Sequence, residues 1–362
     1  MYNHLEIKNF RGLRELVLES LGRVNLIVGP NNSGKTSLLE ALWLFHGPSK
    51  PGLTINVTVF RGLEPPSALS PDVSWHTLFH KLNVDEPIEI TGADIGGRSV
   101  RLQIAVSKPE VQRMVALTER AGAEAAVGPS GPQLSETGPP VTEVLEYHYQ
   151  MDGEPESVSR AVARPDGMEF HGPQVRVPEA VFLSGRRFTG EKELADRFTT
   201  VEDSGQLSFV LESLRAIEPN LESLSLGFVA GIPLVRGDVG LKHPLALPFM
   251  GGGMVRVVEV LLAIARAPDG LVMIDEIENG IYYKNLESTW KAIDIASDRG
   301  DTQIFATTHS LECVRAAIAA FSGERSAYFR LHRLERKADK LRAVTYSAET
   351  ADAALDMDLE VR

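Results

Sequence analysis

The chain has 362 residues, 43% of them hydrophobic, and 49 acidic against 37 basic residues give a formal net charge of -12 at pH 7. This acidic balance argues against a protein that binds DNA through its overall charge, although local basic patches remain open. The sequence has no run of eighteen apolar residues, a single cysteine (Cys313) and a polar N-terminus, which predict no membrane span, no internal disulfide and a cytoplasmic location.

The N-terminal residues predict two exposed strands followed by a strand, a glycine-rich loop and a helix. Polar and apolar residues alternate at 3–8 and 15–20, whereas 23–28 is apolar enough to be a buried strand. The helix begins at Lys35 and continues to about Phe45, where Gly47-Pro48 ends it. A buried strand that leads through a glycine-rich loop into a helix is the usual setting of a phosphate site.

The loop itself reads Gly29-Pro30-Asn31-Asn32-Ser33-Gly34-Lys35-Thr36 and matches the phosphate-loop pattern G-x-x-x-x-G-K-[ST] without a gap. Glycines let backbone N–H groups curl around an anion, and the helix N-terminus adds a favourable dipole. We expect Lys35 to reach the β- and γ-phosphates and to take part in catalysis, and Thr36 to bind Mg²⁺. The residues that we assign to ATP binding from this motif are Asn31, Asn32, Ser33, Gly34, Lys35, Thr36 and Ser37.

The middle of the chain predicts a β-rich insertion at 49–175. Residues 49–106 lack helical periodicity, and short strands are expected at 87–91, 98–106 and 143–150. The stretch 120–142 is rich in Ala, Gly, Pro, Ser and Glu, so we expect a flexible loop there. A strand at 179–183 and a helical segment at 190–220 follow.

The C-terminal half predicts alternating helices and apolar strands. Helices are expected at 254–266 and 284–297, strands at 271–274 and 303–307, and a last helix begins at Ser310. This alternation favours a parallel sheet covered by helices. The basic stretches Arg186-Arg187 with Lys192, and Arg325–Arg342, are interpreted as solvated faces, with a DNA-binding patch as the alternative.

An acidic pair ends the apolar strand Leu271-Val272-Met273-Ile274. Asp275 would face Mg²⁺, and Glu276, one residue later, would act as the general base that polarises the attacking water. Two buried carboxylates repel each other unless a cation lies beside them, so the pair supports the metal assignment. Glu278 is a third carboxylate nearby, with no assigned role.

These motifs, taken in order, resemble the ABC-type ATPase heads of the SMC, RecF and OLD (overcoming lysogenization defect) class, and more narrowly the OLD-type AAA-family ATPases. The resemblance covers residues 1–48 and 178–362. It implies an α/β fold with a mixed-sheet N-lobe and a C-lobe whose parallel sheet is flanked by helices, divided as an ATPase head at 1–48 and 176–362 and the insertion at 49–175. The segments that carry it are Ile7-Lys8-Asn9-Phe10-Arg11-Gly12-Leu13, Met250-Gly251-Gly252-Gly253-Met254-Val255-Arg256, Asp275-Glu276-Ile277-Glu278-Asn279-Gly280-Ile281 and Phe305-Ala306-Thr307-Thr308-His309-Ser310.

The resemblance also implies roles for residues outside the phosphate loop. Gly251, Gly252 and Gly253 would form a signature segment that meets the γ-phosphate bound by a second subunit, supported by Arg256. His309 would be the switch histidine that senses the γ-phosphate or orients water. Arg11 would contribute to ATP binding. The implied ligands are ATP and Mg²⁺, and the implied assembly is a homodimer or higher oligomer.

The chain departs from the class at three points. Met250 stands where the signature serine is expected, so a hydroxyl donor is missing. Tyr282 follows Asn279-Gly280-Ile281 where many relatives have histidine. No Q-loop residue can be assigned, with Ser184, Arg186 and Gln206 as candidates. Asp356-Met357-Asp358 is only superficially like the metal-binding pair of a Toprim nuclease.

Three functions follow from these observations. The first is an ATP-hydrolysing switch that controls a separately encoded protein effector, such as a nuclease in bacterial anti-phage defence. The second is a RecF-like DNA-repair ATPase that binds DNA directly, which the acidic net charge disfavours and the basic C-terminal stretch favours. The third is an ATP-gated scaffold with negligible turnover, which Met250 leaves open.

Overall fold

The structure is a computed structural model that describes residues 1–61, 75–107, 141–164, 167–173, 175–185, 189–337 and 340–357. Its strands are β1 (Tyr2–Phe10), β2 (Leu13–Leu18), β3 (Val24–Val28), β4 (Ile88–Asp94), β5 (Ser99–Ser107), β6 (Glu143–Met151), β7 (Ser157–Arg164), β8 (Gly167–His171), β9 (Ala180–Leu183), β10 (Ser223–Val229), β11 (Ile232–Asp238), β12 (Leu245–Ala246), β13 (Leu271–Ile274), β14 (Gln303–Thr307), β15 (Phe329–Lys337) and β16 (Lys340–Tyr346). Its α-helices are α1 (Lys35–His46), α2 (Leu53–Phe60), α3 (Glu191–Asp203), α4 (Leu207–Leu214), α5 (Gly252–Arg266), α6 (Leu286–Gly300), α7 (Leu311–Ala320) and α8 (Ala348–Asp356).

Backbone contacts divide the chain into two compact units. The P-loop unit comprises Met1–His4, Leu18–Leu39 and Pro178–Arg362, and the β-rich unit comprises Leu5–Val17 and Glu40–Val177. The division predicted from the sequence, with a head at 1–48 and 176–362, stays a prediction. The predicted flexible stretch 120–142 lies outside the described residues except for its last two positions.

The P-loop unit is built on a six-stranded sheet in the order β16-β15-β3-β14-β13-β9. β15, β3, β14, β13 and β9 are mutually parallel, and β16 pairs with β15 in the antiparallel sense. Every residue of β3, β13 and β14 is buried, which is the pattern of strands covered on both faces. The predicted α/β class with a parallel sheet is confirmed. Because the strands are parallel, their carboxyl ends meet at one edge of the sheet.

The P-loop unit contains two further elements that were not predicted from the sequence, a small antiparallel sheet and a hairpin. The strands β10, β11 and β12 form a separate antiparallel sheet, whose buried Leu224 and Val235 join the hydrophobic core with the helices. The basic stretch Arg325–Arg342 lies largely on the hairpin β15–β16, whose buried Phe329, Leu331 and Leu334 give it an apolar face that the dense charges obscure in the sequence.

The β-rich unit contains a seven-stranded sheet in the order β2-β1-β4-β5-β6-β7-β8, with β4 to β8 forming an antiparallel meander. The expectation that 49–106 contains no helix was wrong, because α2 lies at Leu53–Phe60. Its sequence is rich in β-branched residues, which have low helix propensity. Burial of Val57 and hydrogen bonds from Thr54 Oγ1 to the carbonyl of Pro51 (2.8 Å) and from Thr58 Oγ1 to that of Ile55 (2.6 Å) override this preference.

The predicted helical segment 190–220 consists of two helices, α3 and α4, separated by Ser204–Gln206. Among the described residues, none of the helices has both the length and the apolar character needed to cross a membrane.

Candidate active site

The phosphate loop follows β3 at the carboxyl edge of the parallel sheet. Gly29 (φ +148°) and Gly34 (φ +98°) occupy backbone conformations that favour glycine. A Cβ atom at Gly29 would lie 2.8 Å from the carbonyl oxygen of Leu334 and 2.9 Å from Ser33 Oγ, so no larger residue fits there. Ser33 Oγ is itself buried without a hydrogen-bond partner among the described residues. The loop therefore contains a buried hydroxyl oxygen that has no hydrogen-bond partner among the described residues, within a backbone curve that suits an anion.

Lys35 points into this loop. Its Nζ donates hydrogen bonds to the carbonyl oxygens of Gly29 (2.7 Å) and Pro30 (3.2 Å). Burial lowers the pKa of Lys35, while the negative charges of Asp275, Glu276 and Glu278 act in the opposite direction. The ammonium group is thus held at the mouth of the loop, where a phosphate would meet it. Of the other loop residues, Asn31 and Asn32 are exposed and Ser37 is buried in α1.

Thr36 and Asp275 meet at the same edge. Thr36 Oγ1 lies 3.2 and 3.1 Å from the two carboxylate oxygens of Asp275. Burial raises the pKa of the Asp275 carboxyl, and hydrogen bonds from Thr307 and Thr36 offset part of this effect. A hydroxyl and a buried carboxylate form the oxygen donor set that Mg²⁺ prefers, so these residues fit the ion.

Thr307, the last residue of β14, links the two acidic residues. Its buried Oγ1 donates to Asp275 Oδ1 (2.7 Å) and accepts from the backbone N–H of Glu276 (2.9 Å). The register that pairs Ile274 with Ala306 brings Thr307 beside the acidic pair. This hydroxyl fixes the carboxylate of Asp275 relative to the backbone of Glu276.

Glu276 has left-handed backbone geometry, with φ of +49°, which is uncommon for a residue with a side chain. Its Oε2 accepts a hydrogen bond of 2.8 Å from the side-chain amide of Asn279. The same amide donates to the carbonyl oxygen of Gly185 (3.0 Å). A Cβ atom at Gly185 would lie 2.9 Å from Glu276 Cβ. Only glycine therefore lets the backbone that follows β9 approach Glu276 this closely. Asn279 therefore holds the carboxylate of Glu276, and the backbone at Gly185 holds Asn279.

Glu278 and His309 form a second contact at this edge. Glu278 Oε1 accepts from the backbone N–H of His309 (3.1 Å) and lies 3.2 Å from His309 Nδ1. The side chain of Glu278 is 11% exposed, whereas that of His309 is 54% exposed. The predicted switch histidine thus lies one strand away from the acidic pair and contacts a largely shielded carboxylate.

The glycine triplet begins helix α5. Gly251 (φ +107°) and Gly252 are exposed, and a Cβ at either position would have no atom of the described residues within 4 Å. A Cβ at Gly253 would lie 3.2 Å from the carbonyl oxygen of Gly280. The first N–H groups of a helix lack partners within the helix, so this exposed end suits an anion. The side chain of Met250 packs against Gly237 instead of lying free at this helix end. A Cβ atom built on Gly237 would lie 2.9 Å from Met250 Sδ.

Arg256 does not lie where the resemblance implies, at a contact with the γ-phosphate bound by a second subunit. Its side chain is 1% exposed and forms an ion pair of 2.8 Å with the buried Glu259. Its Nη2 donates to the backbone carbonyl of Asp275 at 3.1 Å. Direct contact with a partner's phosphate does not fit this position, because the guanidinium is enclosed by its own chain. Arg256 instead connects α5 to the end of β13.

Arg11, the remaining residue assigned to ATP binding, belongs to the β-rich unit. Its Nε lies 2.9 Å from the buried carboxylate of Glu40, which also pairs with Arg61. Burial lowers the pKa of Arg11 to about 10, with Glu40 opposing the shift. The described contacts of its guanidinium are those of a structural ion pair.

Several residues of this site were not recognised from the sequence: Gly185, Asn279 and Thr307 had no assigned part, and Glu278 had no role. Asn279 and Thr307 lie inside the quoted motifs, so their positions were visible, but their partners depend on strand register. Among the Q-loop candidates, Ser184 follows β9 directly, Gln206 precedes α4, and Arg186 lies outside the described residues.

Two models of known protein families match parts of the chain. A model of an "AAA ATPase domain" matches residues 1–106, and a model of an "AAA domain, putative AbiEii toxin, Type IV TA system" matches residues 173–315. An ATP/GTP phosphatase of Helicobacter pylori is 23% identical over 332 residues, covering 87% of this chain and 86% of that protein. The DNA replication and repair protein RecF of Pseudoalteromonas translucida is 54% identical over 48 residues, 13% of each chain.

Solved structures of SMC heads were also found. A SmcHead bound to the C-winged helix domain of ScpA aligns with a TM-score of 0.48 at 14% identity, covering 97% of this chain and 99% of that one. The SMC head domain from Thermotoga maritima aligns with a TM-score of 0.42 at 13% identity, covering 95% and 98%.

Proposed function

We propose that this chain, an ATPase with matches to AAA-type domains at residues 1–106 and 173–315, is a nucleotide-operated switch that closes around ATP as a homodimer or higher oligomer and controls a separately encoded effector. The observation that carries the proposal is the meeting of Lys35, Thr36 and the Asp275-Glu276 pair at one edge of a parallel sheet. Phosphoryl transfer uses groups of these kinds, so their closeness supports the proposal.

In the proposed reaction the loop Gly29–Thr36 surrounds the phosphates of ATP and Lys35 offsets their charge. Mg²⁺, when held by Thr36 and Asp275, supplies charge neutralisation on the phosphate oxygens. Glu276 accepts the proton of the attacking water on its carboxylate, whose orientation is set by the amide of Asn279. His309 presents its ring at the exposed rim of the same edge.

The oligomer is supported by the exposed N-terminus of α5. Gly251 and Gly252 leave this helix end open, and the exposed Phe249, Tyr282 and Tyr283 add apolar surface on neighbouring segments of the chain. A second subunit could place a bound γ-phosphate against these N–H groups, so that each ATP would be enclosed by two chains. The missing hydroxyl at Met250 means that backbone N–H groups would make this contact.

The test is ATP-dependent assembly of the Glu276→Gln protein, followed by light scattering with and without Mg-ATP. We expect the mass to double with ATP, and Lys35→Ala to abolish the shift. Glu276→Gln should slow hydrolysis by about 10²- to 10⁴-fold while ATP still binds. The matched control is Glu287→Gln, an exposed residue paired with Lys291 on α6, which should behave as the parent. Hydrolysis by Glu276→Gln at the parent rate would contradict the assigned base.

For the effector we propose a nuclease of an anti-phage system. This proposal rests on the resemblance of the motifs to OLD-type ATPases, since the description of the second family model names a type IV toxin–antitoxin system and no nuclease. Capture of cell proteins on the Glu276→Gln chain, with ATP and with ADP, tests this proposal. A nuclease retained only with ATP is the expected result, and an identical set of proteins under both nucleotides contradicts it.

A second candidate function is direct DNA binding, as the short matches to RecF suggest. The hairpin β15–β16 carries the exposed Arg336, Lys340 and Arg342, which could contact a phosphate backbone. Duplex affinity that falls steeply with salt and is lost in Lys340→Glu/Arg342→Glu would favour this function over the effector.

The ATPase family matches favour turnover over the scaffold with negligible hydrolysis.

A further inference from the structure

One carboxylate oxygen of Glu278 lies next to both the backbone N–H and the ring of His309. Glu278 Oε1 accepts a hydrogen bond from His309 N at 3.1 Å and lies 3.2 Å from His309 Nδ1. The other oxygen, Oε2, is buried and has no hydrogen-bond partner among the described residues. Among the described residues, the close polar contacts of the Glu278 carboxylate are therefore those with His309.

The path of the backbone explains how Glu278 reaches this position. The left-handed turn at Glu276 redirects the chain after β13, and the N–H of Ile277 donates to the carbonyl of Thr307 at 3.1 Å. The N–H of Thr308 is in turn bonded to the carbonyl of Ile27 on the neighbouring strand, also at 3.1 Å. Backbone hydrogen bonds just beyond the ends of β13 and β14 thus set residues 278 and 309 side by side.

The chemistry of a carboxylate decides which nitrogen carries the proton. An ionised Glu can only accept hydrogen bonds, so the nitrogen that faces it must be protonated. Neutral His309 therefore has its proton on Nδ1 and a lone pair on Nε2. The ring is 54% exposed while the Glu278 side chain is 11% exposed, so the carboxylate is largely shielded from solvent and the ring is accessible.

We propose that Glu278 is a positioning residue that selects this tautomer and keeps the Nε2 lone pair of His309 available to a water molecule; this inference rests on the proposed function. With Nε2 unprotonated, the ring can accept a hydrogen bond from water. Glu276 and Glu278 thus have separate tasks, one toward water and one toward the histidine.

The first test is the ring ¹⁵N spectrum of the histidine-labelled chain without nucleotide, with the signals of His309 identified by their loss in His309→Gln. We expect the Nδ1–H form in the parent chain and a mixture of the two tautomers in Glu278→Ala. Glu278→Gln should retain the Nδ1–H form, because the backbone N–H of His309 requires an oxygen at the same position. Unchanged His309 signals in Glu278→Ala would overturn the proposal.

The second test measures hydrolysis. Glu278→Ala should lower kcat by about 10- to 100-fold, the loss typical of residues that orient a functional histidine, and leave KM for ATP unchanged. Adding His309→Ala to Glu278→Ala should cause no loss beyond that of His309→Ala alone, and Glu287→Ala should match the parent. Additive losses would contradict the inference. Absence of hydrolysis in the parent chain contradicts only the proposed function, because the spectral test contains no nucleotide.

Discussion

Arg256 Nη2 donates a hydrogen bond of 3.1 Å to the backbone carbonyl of Asp275. This contact connects the helix that carries the glycine triplet with the strand that carries the acidic pair. The guanidinium is also paired with Glu259, which accepts hydrogen bonds from the backbone and side chain of Thr189. A single buried ion pair therefore connects three segments around the candidate site. We expect its loss to affect the free energy of unfolding more than the rate of hydrolysis.

Replacing Arg256 by methionine should lower the free energy of unfolding by about 3–5 kcal/mol, because Glu259 would remain buried without its cation. Urea denaturation measures this change. The double variant Arg256→Met/Glu259→Met should recover part of the loss, since no charge is left buried. Arg299→Met, which breaks an exposed pair with Glu212, is the control and should cost about 1 kcal/mol or less. Equal losses in the two arginine variants would contradict the assigned burial.

Thr307→Val should remove the link between the two acidic residues without changing side-chain volume. The N–H of Glu276 and one oxygen of Asp275 would each lose a partner, and an unsatisfied buried group costs about 1–3 kcal/mol. We expect lower stability and a lower kcat. Thr307→Ser keeps the hydroxyl and should resemble the parent in both measurements, and a Ser variant as impaired as the Val variant would show that the methyl group matters instead.

Asn279→Ala should slow hydrolysis without weakening ATP binding, because the amide holds the carboxylate of Glu276 and does not belong to the phosphate loop. The expected decrease in kcat is about tenfold, with KM unchanged. Steady-state kinetics with Asn220→Ala as the exposed control measure it. A raised KM at unchanged kcat would mean that Asn279 contributes to binding ATP rather than to orienting the base.

His332 predicts a pH dependence of stability. Burial lowers the pKa of His332 from 6.5 to about 3, and its ring nitrogens lie 3.0 Å from Thr345 Oγ1 and 3.2 Å from Asn25 Oδ1. Since the folded chain keeps this ring neutral while the unfolded chain protonates it below pH 6.5, this contribution to stability is fully present above pH 6.5 and is lost as the pH falls toward 3.

The slope from this one group should be at most about 1.4 kcal/mol per pH unit. The difference between the parent and His332→Gln in urea denaturation from pH 7 to pH 4 isolates it, since all other titrating groups are shared. Parallel curves for the two proteins would mean that His332 does not titrate differently in the folded state.

Cys313 should be unreactive in the folded chain. Burial raises the pKa of this thiol to about 12, and the charge of Glu278 adds to the shift. Since it is the only cysteine, reaction with an aromatic disulfide reagent reports on it alone. We expect almost no reaction in buffer and complete reaction in urea. Rapid reaction in buffer would show that the first turn of α7 opens readily.

The phosphate loop and the acidic strand could be predicted from the sequence because their chemistry lies in consecutive residues. Gly29 to Thr36 form one strand–loop–helix unit, and Asp275-Glu276 end a strand that is apolar along its whole length. Helix and strand periodicity located most elements of the P-loop unit for the same reason. Helix α2 escaped detection because its β-branched residues favour strands and only burial and side-chain hydrogen bonds make the helix stable.

The partners of these residues were decided by the tertiary structure alone. Thr307 reaches Asp275, and Glu278 reaches His309, across about 30 positions of sequence, because two parallel strands end at the same height. Arg256 was expected at a subunit contact and lies instead in an ion pair within its own chain. The identity of a charged residue reveals its capacity to bind, whereas the choice between a phosphate, a metal ion and a neighbouring carboxylate depends on burial and strand register, which exist only once the chain has folded.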